Sequence, residues 1–167
     1  MMDRFIIMGV SGCGKSSIGA AFAAQIGATF IDGDDLHPTA NITKMAAGTP
    51  LDDDDRAPWL MTVGQTFAKN KLPLVVACSA LKRSYRDVIR NHAGGPVAFL
   101  HLNGSRYVLL ARMAAREGHF MPTKLLDSQL ATLETLGADE IAFTVEIDQT
   151  PNAIVAALVA HFQKDTV

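Results

Sequence analysis

Cysteine is scarce in this chain: Cys13 and Cys78 are the only two in 167 residues. One falls in a glycine-rich stretch and the other in an apolar run, so a disulfide framework is not indicated and a reducing compartment, the cytoplasm, is expected. Charge of one sign is also lacking. Fifteen Lys and Arg stand against seventeen Asp and Glu, a net charge of −2, which advertises neither nucleic acid nor an anionic membrane as partner. No run approaches the roughly 20 apolar residues of a membrane span, and the N-terminus lacks the basic region, apolar stretch and cleavage site of a signal peptide. Internal repeats and low-complexity segments are missing too. What remains suits one compact domain over residues 1–167 with a hydrophobic core of its own.

What is present is an alternation of short apolar runs and helical periods. Phe5-Ile6-Ile7-Met8 reads as a first strand, and Ile18, Phe22 and Ile26 mark a helix over 16–26 that stops at Gly27. Ala28–Ile31, Leu74–Cys78, Val97–Leu102 and Phe143–Ile147 read as four more strands. The helical periods between them fall at about 58–69, around Tyr85, Val88 and Ile89, over 105–116, on Leu125, Leu126, Gln129, Leu130 and Leu133, and from Ile154 to Phe162. Residues 34–57 are rich in turn formers and charge, and read as a substrate-facing insert of short helices and loops. The alternation implies an α/β fold: a five-stranded parallel sheet with helices on both faces, in three layers. In such sheets the chemistry gathers at the carboxyl ends of the strands.

Directly behind the first strand stands Gly9-Val10-Ser11-Gly12-Cys13-Gly14-Lys15-Ser16, the G-x-x-x-x-G-K-[ST] spacing of a phosphate-binding loop. Its glycines let backbone N–H groups approach anionic oxygens without a Cβ in the way, at the positive end of a helix. Lys15 then bridges the β- and γ-phosphates of ATP, and the Ser16 hydroxyl ligates Mg²⁺. The second strand ends in Asp32-Gly33-Asp34. Phosphoryl transfer needs an aligned acceptor hydroxyl, a proton acceptor and neutralised charge. Two carboxylates beside the loop can divide that work, one oriented to the metal and one to the hydroxyl. The third strand runs into Ser79-Ala80-Leu81-Lys82 and lacks the metal-binding aspartate that motors and GTPases carry there. Either Asp32 takes over the metal role or Ser16 is its only protein ligand. The missing acid argues against a nucleotide-dependent switch.

His37, Asn41, Lys44 and Arg56 in the insert, with Lys82, Arg83 and Arg86 after the third strand, cluster beyond the γ-phosphate site, and the cations among them suit an anionic acceptor. The acidic run Asp52–Asp55 reads as a solvated face or a helix N-terminal turn. Arg112 and Arg116 precede a glycine-containing break, as a closing lid at about 116–125 requires, with Arg116 the transition-state cation. Arg112 suits either stacking on adenine or a structural salt bridge.

G-V-S-G-C-G-K-S, F-I-D-G-D-D-L-H-P from Phe30, N-I-T-K-M from Asn41, G-T-P-L-D-D-D-D-R-A-P-W-L from Gly48, A-C-S-A-L-K-R-S-Y-R-D from Ala77, and G-H-F-M-P with L-L-D-S-Q from Gly118 together resemble the bacterial gluconokinases over nearly the whole chain. The resemblance implies a nucleoside-monophosphate-kinase-like P-loop fold with a lid, ATP-dependent phosphorylation of the 6-hydroxyl of D-gluconate, and a homodimer. It places ATP on Gly12, Cys13, Gly14, Lys15, Ser16 and Ser17, to which the loop spacing and the lid-like break add Gly9, Ser11, Arg112 and Arg116. The acceptor hydroxyl falls to Asp34, and the rest of gluconate to His37, Lys44, Arg56, Lys82, Arg86 and His119. Cys13 stands where serine is frequent, which implies sensitivity to thiol reagents. Shikimate kinases share Asp32-x-Asp34, but carry a glycine-rich stretch where this chain has Cys78–Lys82.

Overall fold

A computed structural model describes residues 1–115 and 123–163. Five strands form one parallel sheet in the order β2-β3-β1-β4-β5: β1 Arg4–Met8, β2 Thr29–Asp32, β3 Leu74–Ala77, β4 Ala98–Asn103 and β5 Ala142–Glu146. The helices among the described residues are α1 Lys15–Ile26, α2 Thr39–Ala46, α3 Asp53–Lys69, α4 Arg83–His92, α5 Arg106–Ala114, α6 Thr123–Thr132 and α7 Pro151–Gln163, with a 3₁₀ turn at Gly33–Leu36.

Central strands of a parallel sheet are covered on both faces, and their sequence shows it. Phe5 and Ile7 of β1, with Val75, Leu100 and Leu102, pack against Ile18 and Phe22 of α1, Leu109 of α5, Leu126 of α6 and Leu158 of α7. The alternate residues Ile6 and Met8, with Val76 and Phe99, face Trp59, Val63 and Phe67 of α3 and Ile89 of α4. This period of two explains why β1 and β3 are apolar throughout. Each such fully buried side chain contributes about 1.5–3 kcal/mol. Among the described residues no helix is long and apolar enough to cross a membrane.

The expected strands and helices are all present, with one boundary corrected. The helix expected from about residue 58 begins at Asp53 and runs through Pro58. Asp52 accepts from the Asp55 N–H at 2.7 Å while the Asp55 carboxylate accepts from the Asp52 N–H at 3.0 Å. That reciprocal cap, with Asp53, Asp54 and Asp55 in the first turn, complements the helix dipole and sets the start ahead of the proline. The acidic run is therefore a helix N-terminus.

Arg86 is a second correction. Expected at the acceptor site, it is fully buried. Its guanidinium donates to Glu140 Oε1 (2.8 Å), to the carbonyls of Ala80 (3.0 Å) and Leu81 (3.2 Å), and to Glu134 O (3.2 Å). One cation thus fastens α4 to the loop after β3 and to the segment that follows α6. Burial works against ionisation of Glu140, but hydrogen bonds from Arg86, the Gly137 N–H (2.7 Å) and Arg90 outweigh it and hold its carboxyl at about 2.

Arg86→Ala leaves the Glu140 charge buried without its main partner and is expected to destabilise the fold by about 3–5 kcal/mol in urea unfolding at neutral pH. Because the folded pKa of Glu140 lies below its ordinary 4.5, its contribution is complete above that value and is lost as pH falls towards 2. Glu140→Gln is expected to flatten that part of the acid limb of the stability profile, and an unchanged limb would contradict this account.

Candidate active site

The carboxyl ends of β1, β2 and β3 lie side by side, since Ile7 pairs with Ala77 and Asp32 with Ala77. Their exits build the cleft. After Met8 the chain turns through Gly9 at φ +147°, where a Cβ would lie 2.7 Å from Cys13 Sγ and 2.9 Å from Leu102 O. Only glycine fits there. Gly14 caps α1, whose first residues are Lys15 and Ser16. The Lys15 ammonium donates to the carbonyls of Gly9 (3.0 Å) and Val10 (3.1 Å), curled over the loop.

Asp32 joins the two halves of the cleft. One carboxylate oxygen accepts from Ser16 Oγ at 2.9 Å, and the other accepts from the Asp34 N–H at 3.0 Å, capping the 3₁₀ turn. Gly33 lies hard against β3, where a Cβ would stand 2.3 Å from Ala77 O. Trp59 Nε1 donates to Gly33 O at 2.8 Å, and its ring stacks on His37 at 4.2 Å between centroids. Asn41, itself buried, lies 3.2 Å from His37 Nδ1 through its amide nitrogen, which also donates to Asp55 O (3.0 Å). Burial pushes the His37 imidazole below its ordinary pKa, and the nearby Arg56 adds to this against the opposing pull of Asp34.

A cavity of about 420 Å³ is lined by Ser11, Lys15, Ser16, Asp32, Asp34, His37 and Arg56. It continues into a second of about 340 Å³, lined by Arg56, Lys82, Asp53 and Tyr85, and both share Trp59, Ser79 and Gln129. In the second, Tyr85 Oη donates to Asp53 at 2.5 Å and lies 3.4 Å from Arg56, while Lys82 donates to Asp53 at 3.3 Å. The Arg56 guanidinium and the Lys82 ammonium both lie within 6 Å of the Tyr85 ring centre, at 5.7 and 5.5 Å.

The remaining expected residues are placed differently. Lys44 donates to Asp55 at 2.5 Å and lines neither cavity. Arg112 donates to the carbonyls of Ile147 and Gln149 just past β5. Ser17 is exposed on α1, one residue beyond Ser16. Cys13 is fully buried and its thiol is pushed above its ordinary pKa by that burial, so the expected thiol sensitivity has no structural basis. Arg116, His119 and most of the expected lid lie outside the described residues.

An AAA domain family model matches residues 5–136. The chain is 46% identical to the thermoresistant gluconokinase of Escherichia coli K12, over 96% of this chain and 93% of that one. The solved structure of a gluconokinase from Sinorhizobium meliloti superposes with a TM-score of 0.84 at 46% identity, covering 98% and 97% of the two chains. The chain belongs to the gluconokinase family. A shikimate kinase structure from Bacteroides thetaiotaomicron, at 16% identity and a TM-score of 0.67 over 98% of this chain and 99% of that one, shares the P-loop kinase fold alone.

Four cleft residues do not stand out as site residues in the sequence: Asp53, Trp59, Tyr85 and Gln129. Trp59 and Tyr85 sit at helical spacing among core residues and read as core, although each presents a polar atom to the cleft wall. Gln129 carried the one usable signal, a carboxamide on an otherwise leucine-lined stripe.

In an NMR titration the His37 midpoint is expected below 6.5. Arg56→Gln should raise it, since removing a positive neighbour eases protonation. A midpoint at or above the ordinary value, or one unmoved by that change, would refute this placement of the ring.

Proposed function

We propose that the protein transfers the terminal phosphoryl group of ATP to the 6-hydroxyl of D-gluconate, giving 6-phospho-D-gluconate and ADP. The observation that carries this is one cleft in which Lys15 and Ser16 of the phosphate loop, the Asp34 carboxylate and the cations Arg56 and Lys82 all line connected cavities, in a chain of the gluconokinase family.

The residues divide the reaction as follows. The Gly9–Ser17 segment, with Lys15, receives the phosphates of ATP, and Arg112 braces the chain beyond β5 beside it. Asp34 accepts the proton of the 6-hydroxyl as its oxygen bonds to the terminal phosphorus, and ADP leaves with the electron pair of the broken P–O bond. The negative end of gluconate falls to Arg56 and Lys82, and its hydroxyls to His37, whose neutral ring can both donate and accept. Arg116 and His119 belong to the proposed lid, and Arg116 would neutralise charge on the transferred group.

Ser16 and Asp32 fit Mg²⁺: both are hard oxygen donors, already 2.9 Å apart. Among the described residues no cluster of three or more His, Cys, Asp or Glu could hold a metal, in keeping with an ion that takes one or two protein oxygens and otherwise phosphate and water. When bound, it supplies charge neutralisation at the phosphates. The same reading assigns the whole chain to one kinase domain with its insert at about 34–57, working as a cytoplasmic homodimer; two unpaired, buried cysteines support a reducing compartment.

Purified protein given Mg-ATP and D-gluconate is expected to form 6-phosphogluconate, and failure to do so would remove the acceptor assignment. Asp34→Asn should lower turnover about 10²-fold or more, as loss of a general base does, with ATP affinity preserved in calorimetry. Undiminished turnover would show that another group takes the proton.

A further inference from the structure

Helix α6 lines the cleft and is tied at its middle and just past its C-terminal end. Just past its last turn, the Glu134 N–H donates to Leu81 O at 2.8 Å and the Glu134 carboxylate accepts from the Arg83 N–H at 3.1 Å, on either side of Lys82. Arg106 of α5 holds Asp127 at 2.7 Å. Between these ties, Gln129 Oε1 accepts from the Ser11 N–H of the phosphate loop at 2.7 Å. Gln129 lines both the cavity that holds Lys15 and Asp34 and the one that holds Lys82. Its Nε2 has no protein acceptor among the described residues, and the residue is only partly buried. With Oε1 engaged, the plane of the carboxamide is fixed and two N–H bonds remain to be used.

We infer that Gln129 is a catalytic residue that donates from Nε2 to the phosphoryl group in flight, while the Ser11 amide holds it in place; this rests on the kinase reading above. Charge spreads over the oxygens of the transferred group, and a donor fixed beforehand needs no reorganisation as it develops. The residue type follows from the double task. Lysine and arginine donate but have no acceptor for the Ser11 amide, and glutamate accepts but has no N–H. A planar carboxamide does both, and its neutrality spares the cleft another charge beside Arg56 and Lys82.

The test compares wild type with Gln129→Glu, which keeps the length and the Ser11 acceptor, and Gln129→Leu, which keeps much of the volume. Turnover with gluconate is expected to fall about 10- to 100-fold in Gln129→Leu and further in Gln129→Glu, with Tm and ADP affinity unchanged. A packing role predicts the reverse order, with Gln129→Glu near wild type, and that result would overturn the assignment. So would a defect confined to the KM for ATP, which would make Gln129 a cover for an empty loop amide. Acceptor-free ATP hydrolysis, measured in parallel, keeps the two claims separable. Wild type that hydrolyses ATP without phosphorylating gluconate defeats the acceptor assignment, whereas the variant-to-wild-type ratio in hydrolysis still decides the role of Gln129.

Discussion

Parallel pairing of β1 with β3 and of β3 with β2 is the constraint from which the cleft follows. Three strands that run the same way must release their chains at one edge, and here the register brings the exits of Met8, Asp32 and Ala77 level. The phosphate loop, the Asp-Gly-Asp turn and the Ser79–Lys82 loop then meet without any long excursion. Gly9 donating to Ser79 O at 3.3 Å and Asp32 accepting from Ser16 are the contacts that such proximity allows. A change that shifted β3 by one residue would invert its faces, and it would also carry Ala77 away from Gly33.

The cations around the second cavity are held by carboxylates. Arg56 and Lys82 share Asp53, and Lys44 is held by Asp55. Arg56 and Lys82, the cations that line the cleft, are thereby kept in defined orientations, and Asp53 is drawn further towards its ionised form by the hydrogen bonds of Tyr85 and Lys82. Arg86 stands behind this layer. Its buried ties to Ala80, Leu81, Glu134 and Glu140 make the loop that carries Lys82 and the segment after α6 a single unit.

The layers of the fold were legible because their signals are local: apolar runs for strands, spacings of three and four for helices, Gly27 as a stop. The phosphate loop was legible for the same reason, since every part of it lies within eight residues. Arg86 was not. In sequence it is one more cation in K-R-S-Y-R, and only its distance from Glu140, 54 residues on, distinguishes a buried tie from a substrate contact. Gln129 shows the same limit, because its partner Ser11 lies 118 residues away. The start of α3 was missed for a different reason: Pro58 is a strong local breaker, but the reciprocal Asp52 and Asp55 cap outweighs it.

Trp59 is the only tryptophan in the chain, and it is buried with its N–H on Gly33 O and its ring face to face with His37. Intrinsic emission at indole wavelengths therefore comes from one place, the wall behind the Asp32–Asp34 turn. The imidazole lying on that ring is a quencher whose strength depends on its protonation. The native protein thus carries an optical reporter in the wall of its own cleft, one that needs neither a label nor a substitution.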